Sequence, residues 1–197
     1  MATPQIVASE RYSRVAQVLH WFIALVMIGH VIGGVAMTKI LSRTDALTFE
    51  IYQLHKSFGI TILILSFARL GWRLTHRPPA LPSVMPDWQK RISHLTHVAF
   101  YGFMILIPLS GWAMVSVSPY NIPTVLFDVI PWPHLPFWEG VADKKPVETL
   151  FKQLHELMGL MMVALLALHI GAALKHHFKD RDGVLARMVP GLHQPRA

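Results

Sequence analysis

The sequence predicts an all-α fold, an integral membrane four-helix bundle with both termini in the cytoplasm. Three observations predict it. Hydrophobic residues make up 53% of the 197-residue chain and charged residues only 15%, against about 25% charged residues in a soluble domain. Four apolar stretches are each long enough, at about 20 residues, to cross a bilayer core of ~30 Å. Lysine and arginine are concentrated on one side of these stretches.

The four stretches follow one another without an internal repeat, so residues 1–197 are interpreted as a single membrane domain. The expected spans are 15–37, 54–72, 94–117 and 151–174. Residues 1–14 contain no short apolar segment that ends in a cleavage site, and no removable signal peptide is expected. The 118–150 connection mixes proline with Trp, Phe and Leu, which predicts a segment that lies on the outer surface of the membrane that the helices span.

The basic residues predict the orientation. Twelve Lys and Arg residues lie at the two ends of the chain and in the second connection, whereas six lie on the other side of the spans. Cytoplasmic segments carry an excess of Lys and Arg, which places both termini in the cytoplasm. The net charge of +7 is explained by basic residues that flank the spans, where they can pair with anionic lipid headgroups. No nucleic acid is therefore expected as a partner.

The candidate functional residues are histidines. The chain has twelve of them and no cysteine, which excludes disulfides, thiolate zinc sites, iron–sulfur clusters and covalently attached c-type haem. His155 and His169 are 14 residues apart on the fourth span. This spacing is about 40° short of four helical turns, so both rings leave the same face, roughly 21 Å apart along the axis.

Each of these two histidines has a candidate partner at matching depth on another span: His20 for His169 near the cytoplasmic end, and His55 for His155 near the outer end. Two facing imidazoles suit a b-type haem, whose iron binds a ligand on each side of the ring. A single histidine in a membrane helix can instead form a hydrogen bond to another helix, and imidazole also binds zinc. Four histidines at two matched depths favour haem.

Other residues complete the expected haem sites. His94 and His97 open the third span and are alternative ligands near His20, whereas His30 lies near mid-bilayer with no partner expected at its depth. For His30 we expect packing or a hydrogen bond between helices. Small residues that would leave room for a porphyrin, or let helices pack closely, are Gly29, Gly33, Gly34, Gly59, Gly159, Gly171 and Ala172.

The chain resembles the bacterial cytochrome b-561 family from Tyr12 to Pro190. The segments that carry the resemblance are YSRVAQVLHWFIALVMIG, LHKSFGITILILSFARLGWRLTHRPP, HLTHVAFYGFMILIPLSGWAM and LHELMGLMMVALLALHIGAALKHHF. The resemblance implies a bacterial inner-membrane protein that holds two non-covalent b haems. It also implies the ligands: His20 with His169 for the cytoplasmic haem iron, and His55 with His155 for the outer one.

The resemblance further implies single-electron transfer to ubiquinone, with His176 in contact with the quinone. One branch of the family is similar to superoxide oxidases, which take electrons from superoxide at the outer face and reduce ubiquinone. A group of outer-side lysines would attract such an anion, although lipid phosphate or solvent explains them equally well; they are Lys56, Lys144, Lys145 and Lys152. A homodimer is a further expectation.

Two other functions stay open. One is a haem-bearing membrane anchor of a larger dehydrogenase, with a redox partner protein at the outer face. The other is a haem-free transporter or channel that uses its histidines for protons or metal. The chain shows no repeat symmetry of the kind that transporters have, which disfavours the second.

Overall fold

A computed structural model of the chain describes residues 11–42 and 44–192. The absence of a removable signal peptide was predicted from residues 1–14, and residues 1–10 of this segment lie outside the described part of the chain. Arg43 and Arg196, two of the basic residues counted above, also lie outside it.

Four long helices dominate the described chain, and each is long and apolar enough to cross a membrane, which confirms the prediction of four helices of membrane-spanning length. They are α1 (Arg14–Val35), α2 (Ala46–Thr75), α3 (Asp87–Val117) and α4 (Lys145–Lys175). Two of them continue as wider π-helical turns, over Ala36–Ile40 after α1 and over His176–Asp180 after α4.

Three helices begin earlier than the apolar stretches predict. α2 begins at Ala46 after Asp45, α3 follows Pro86, and α4 carries Pro146 in its first turn. Hydropathy marks only the part of a helix that is apolar, whereas proline fixes a backbone angle suited to the first turn and starts the helix in the polar flank. The added turns lie before the apolar core and do not change the order of the spans.

The 118–150 connection contains structure that the all-α prediction missed. Two short strands, β1 (Thr124–Leu126) and β2 (Ile130–Trp132), pair antiparallel, with Thr124 opposite Trp132. Phe127 has a φ of 51° and Asp128 a φ of 57° in the turn between them. Such turns usually carry Asn-Gly or Asp-Gly, and neither pair is present here to predict a hairpin. A short 3₁₀ turn over Pro136–Trp138 follows.

The 118–150 connection, which we call the hairpin connection, packs against the end of α3. The Trp112 indole N–H donates a hydrogen bond to the Pro133 carbonyl over 2.9 Å, and the backbone N–H of Leu135 donates one to the Ser116 hydroxyl over 2.9 Å. Lys56 Nζ on α2 donates to the Pro123 carbonyl over 3.1 Å. The connection therefore covers one end of the bundle, which we call the loop end.

The two described termini meet at the opposite end, which we call the terminal end. A short helix, α5 (Val184–Met188), lies against the start of α1. Gln17 Nε2 donates to the Arg187 carbonyl over 3.0 Å, and the Trp21 indole N–H donates to the Met188 carbonyl over 3.0 Å. The beginning and the end of the described chain are therefore on the same side of the bundle.

The long helices pack in chain order, α1 on α2, α2 on α3 and α3 on α4, while α1 and α4 approach each other less closely. All four contribute to one buried apolar layer midway between the two ends: Ile23, Met27, Ile62, Met104 and Met162. Many large apolar side chains point outwards instead, as expected of a surface that faces lipid.

The docking of α5 depends on a buried arginine, which yields a first prediction. Arg187 is only 8% exposed, and its guanidinium donates to the carbonyl of Ala80 in the connection between α2 and α3. A hydrogen bond from a charged donor contributes about 1.5–3 kcal/mol. We therefore expect Arg187→Ala to release α5, measured as faster limited chymotryptic cleavage after Leu185. Arg91→Ala, at an exposed position, is the control; equal cleavage in the two variants would contradict the docking role.

Candidate functional site

The structure brings together the four histidines in the two predicted pairs. At the terminal end, the ring centres of His20 on α1 and His169 on α4 are 6.3 Å apart, with an angle of 71° between the ring planes. At the loop end, the ring centres of His55 on α2 and His155 on α4 are 6.1 Å apart, at 70°. All four side chains are half-buried within the bundle.

These separations match two imidazoles that bind one metal ion from opposite sides. A metal–imidazole bond is about 2.0–2.1 Å long and the bonded nitrogen lies roughly 1.1 Å from the ring centre, which gives ring centres about 6.3 Å apart. A direct hydrogen bond or a close stack between the rings would bring their centres nearer. Each pair is therefore spaced to hold a metal ion.

His155 is oriented by α3. Its Nδ1 lies 3.0 Å from the carbonyl oxygen of Ile107 and 3.1 Å from the Ser110 hydroxyl. An Nδ1–H that donates to a carbonyl leaves the lone pair of Nε2 free for a metal, the usual arrangement of a ligating histidine. Gly111 makes room for the ring, because a Cβ at this position would lie 3.1 Å from His155 Cε1. Sequence reasoning missed Ser110 and Gly111.

His55 is held differently, between two residues of α1. A Cβ on Gly34, one of the predicted small residues, would lie 3.3 Å from His55 Cε1. On α1 one turn earlier, His30 stacks on His55 with ring centres 3.6 Å apart and planes at 19°. The expectation that His30 has no partner at its depth is therefore wrong. A step of ten residues from His20 is a rise of about 15 Å, roughly 6 Å short of the His55 level, so helical rise alone does not predict this stack.

Two histidines face His169 at the terminal end. The ring centre of His97 is 6.1 Å from that of His169, as close as that of His20. His97 Nδ1 lies 2.7 Å from the carbonyl of Ser93, whereas His20 Nδ1 lies 3.0 Å from an N–H group of Arg69. Because guanidinium only donates, His20 Nδ1 accepts here. His94, the other predicted alternative, is exposed.

His176 lies about two helical turns beyond His169, in the π-helical segment after α4. Its Nδ1 is 2.6 Å from a carboxylate oxygen of Asp182 and 3.2 Å from one of Asp180. The ammonium of Lys175 is 2.5 Å from the same Asp180 oxygen. The site thus joins an imidazole, two carboxylates and one ammonium at the terminal end. The sequence pointed to the histidine but not to its two acidic partners.

The predicted basic surface at the loop end is partly neutralised. Lys145 pairs with Glu148 over 2.7 Å, and Lys152 lies 4.0 Å from a carboxylate oxygen of Glu156. Lys56 donates to the Pro123 carbonyl, and among the described residues neither Lys56 nor Lys144 has a carboxylate within 4.0 Å. The attraction of this end for an anion therefore depends more on Lys56 and Lys144 than the sequence suggested.

Comparisons with known proteins agree on one family. The family model described as "Prokaryotic cytochrome b561" matches residues 11–191. "Cytochrome b561 homolog 1" of Escherichia coli (strain K12) is 27% identical over 180 residues, which cover 91% of this chain and 97% of that protein. "Cytochrome b561 homolog 2" of the same organism is 30% identical over 181 residues, covering 91% and 92%. "Probable superoxide oxidase CybB" of Yersinia pestis is 29% identical over 185 residues, covering 92% and 97%.

The space that Gly111 leaves for His155 yields a second prediction. In Gly111→Ala the new methyl group would lie 3.1–3.2 Å from two atoms of the His155 ring, so the ring or the helix has to move. We expect this variant to retain less b-type haem per chain, measured by pyridine haemochrome and protein assay. Gly102→Ala on the same helix is the matched control, because its Cβ would meet no atom within 4 Å. Equal haem contents in the two variants would show that Gly111 does not shape the site.

Proposed function

Because the chain belongs to the prokaryotic cytochrome b561 family, we propose that it is a di-haem b-type membrane oxidoreductase that passes single electrons to ubiquinone. The observation that carries the proposal is the presence of two imidazole pairs, with ring centres 6.3 Å and 6.1 Å apart, on one shared helix. The chain has no cysteine, which agrees with a non-covalent haem.

In this proposal His20 with His169 holds the haem at the terminal end, and His55 with His155 holds the haem at the loop end. A bound b-type haem supplies one-electron chemistry at its iron. We prefer His20 to His97 because the resemblance to the bacterial cytochrome b-561 family implies a ligand at this position. Binding through Nε2 of His20 requires the ring proton on Nδ1, so the contact of Nδ1 with Arg69 has to open.

The protein between the two pairs excludes water. His155 and His169 are roughly 21 Å apart along α4, and Met162 lies midway between them. Met162 packs with Ile23 and Met104 in the buried apolar layer. Because this layer contains no charged side chain, it separates the two sites and does not conduct protons between them.

Superoxide at the loop end is the donor that we propose. Two superoxide anions each lose one electron and become O₂, while one ubiquinone gains two electrons and two protons and becomes ubiquinol. The support comes from the relative named as a probable superoxide oxidase and from Lys56, whose ammonium bonds to the Pro123 carbonyl at the loop end and would attract an anion there. The terminal end is then cytoplasmic in a bacterial inner membrane, in accord with the positive-inside rule.

We propose that His176 donates protons to ubiquinone at the terminal end. Reduction of the quinone consumes protons, and imidazole exchanges protons near neutral pH. Asp182 accepts from His176 Nδ1 over 2.6 Å, which fixes the orientation of the ring. The imidazole can then hand a proton to a quinone oxygen and recover one from the adjacent aqueous phase.

A second candidate function is a haem-bearing anchor subunit of a larger dehydrogenase. The observation that favours it is the apolar surface of the hairpin connection, where Val129 is 76%, Phe137 73% and Tyr120 72% exposed. Such a surface suits a peripheral redox partner protein. Purification from native membranes distinguishes the two functions, since an anchor would carry a second subunit in a one-to-one ratio and would not reduce ubiquinone with superoxide alone.

The ligand assignment yields a third prediction. His20→Ala and His169→Ala are each expected to lose the same haem, and His55→Ala and His155→Ala to lose the other, because each substitution removes one of the two imidazoles that would hold that haem. Reduced-minus-oxidised spectra and haem counts per chain measure this. His97→Ala is the control and should keep both haems. Loss of a haem in His97→Ala but not in His20→Ala would replace His20 by His97 as the ligand.

A fourth prediction separates the two half-reactions. With superoxide as donor, the haem of His176→Ala is expected to be reduced as fast as the haem of wild type. Ubiquinol should form at least tenfold more slowly in this variant, because proton delivery typically contributes about 10²–10⁴-fold to a rate. Stopped-flow haem spectra and the absorbance of ubiquinone follow the two steps. His177→Ala, the adjacent change, is the control. Unchanged ubiquinol formation in His176→Ala would remove His176 from the quinone site, and no haem reduction by superoxide in wild type would remove superoxide as the donor.

A further inference from the structure

His30 is a half-buried imidazole that the proposed electron transfer does not use. Its ring lies face to face with that of His55, with centres 3.6 Å apart and planes at 19°. Aromatic pairs in proteins usually have centres about 4.5–7 Å apart. So close a parallel stack covers one face of the His55 ring over most of its area.

The neighbourhood of His30 fixes it in this position. Gly59, on α2 one turn after His55, leaves room for the His30 ring, since a Cβ there would lie 3.6 Å from His30 Cε1. Gly34, one turn after His30 on α1, approaches the Cε1 edge of His55, where a Cβ would lie 3.3 Å away. His55 therefore lies against one helix at two points, the His30 face and the Gly34 backbone.

The two loop-end histidines differ in how their rings are oriented. His155 has the usual support of a metal ligand, an Nδ1 hydrogen bond to the carbonyl of Ile107 over 3.0 Å. His55 Nδ1 is buried and, among the described residues, has no hydrogen-bond partner. Rotation of the His55 ring about its bond to Cβ is therefore limited by packing, and His30 supplies the flat surface against which it packs.

We propose that His30 is a positioning residue: by stacking on His55 it fixes the plane in which the His55 ring binds the loop-end haem. The proposal rests on the proposed function, in which His55 is an axial ligand. The ring planes of His55 and His155 are 70° apart. In a low-spin ferric haem the angle between two axial imidazole planes sets the splitting of the iron d orbitals, and with it the largest g value and part of the reduction potential.

The test compares His30→Leu, which fills the space without a ring, with His30→Phe, which restores a flat ring, both in the full-length haem-loaded protein. We expect His30→Leu to lower the largest g value of the loop-end haem, towards the value typical of two parallel imidazole planes. The midpoint potential of this haem should shift as well. His30→Phe should keep the wild-type signal. Electron paramagnetic resonance and a potentiometric titration measure both, and the loop-end signal is the one that His155→Ala lacks.

Two controls make the test specific. The terminal-end haem of the same molecules should not change. His76→Leu removes a similar stack elsewhere, that of His76 on Trp72 with ring centres 3.6 Å apart, and should leave both haems unchanged.

The outcomes separate the proposal from the proposed function. Wild-type signals in His30→Leu, or equal shifts in His30→Leu and His30→Phe, would overturn the positioning role, as would loss of the loop-end haem from both variants. Loss of that haem from His30→Leu alone would support it, because only the ring is missing. If wild type itself lacks two low-spin haems, the proposed function fails before His30 is tested.

Discussion

The arrangement depends on one constraint: polar imidazole rings in a bundle with an apolar surface have to lie inside it. α4 meets this constraint by placing His155 and His169 on the same face, with their separation close to four helical turns. The other helices then bring a ring to each level, His20 from α1 and His55 from α2. An apolar layer fills the space between the levels, so that each pair has its own compartment.

Each pair is built from one histidine of α4 and one of a helix from the first half of the chain, yet the rings are supported in different ways. A carbonyl orients His155, a stacked ring covers His55, and a guanidinium contacts His20. Ring orientation and hydrogen bonding tune a bound metal. The two imidazole pairs therefore have different surroundings.

Features that repeat with the helical period were predictable from the sequence. Hydropathy predicted the four membrane-length helices, and depth along the helices predicted the two histidine pairs, including His20 with His169. What could not be predicted depends on contacts between distant segments. The room at Gly111 appears only once α3 and α4 are packed, and the hairpin turn at Phe127 lacks the residues that usually mark such turns.

Electrostatics was predicted least well, because a sequence shows charges but not their partners. Lys145 and Lys152 were counted as free positive charges, whereas carboxylates one turn away on the same helix pair with them. The spacing of Lys145 and Glu148 already allowed such a pair. Asp180 lies four residues after His176 in the same helical segment, but Asp182 follows a change of backbone direction at Arg181, which is left-handed with a φ of 52°, and no helical period reaches across it.

The position of α4 at the end of the chain has a consequence for biogenesis. Both imidazole pairs include a residue of α4, and α5, which comes after it, closes against the start of α1. A nascent chain with only its first three helices inserted would expose His20 and His55 without their counterparts. Neither imidazole pair can therefore form before α4 has been synthesised, and both pairs are completed in the same step of assembly.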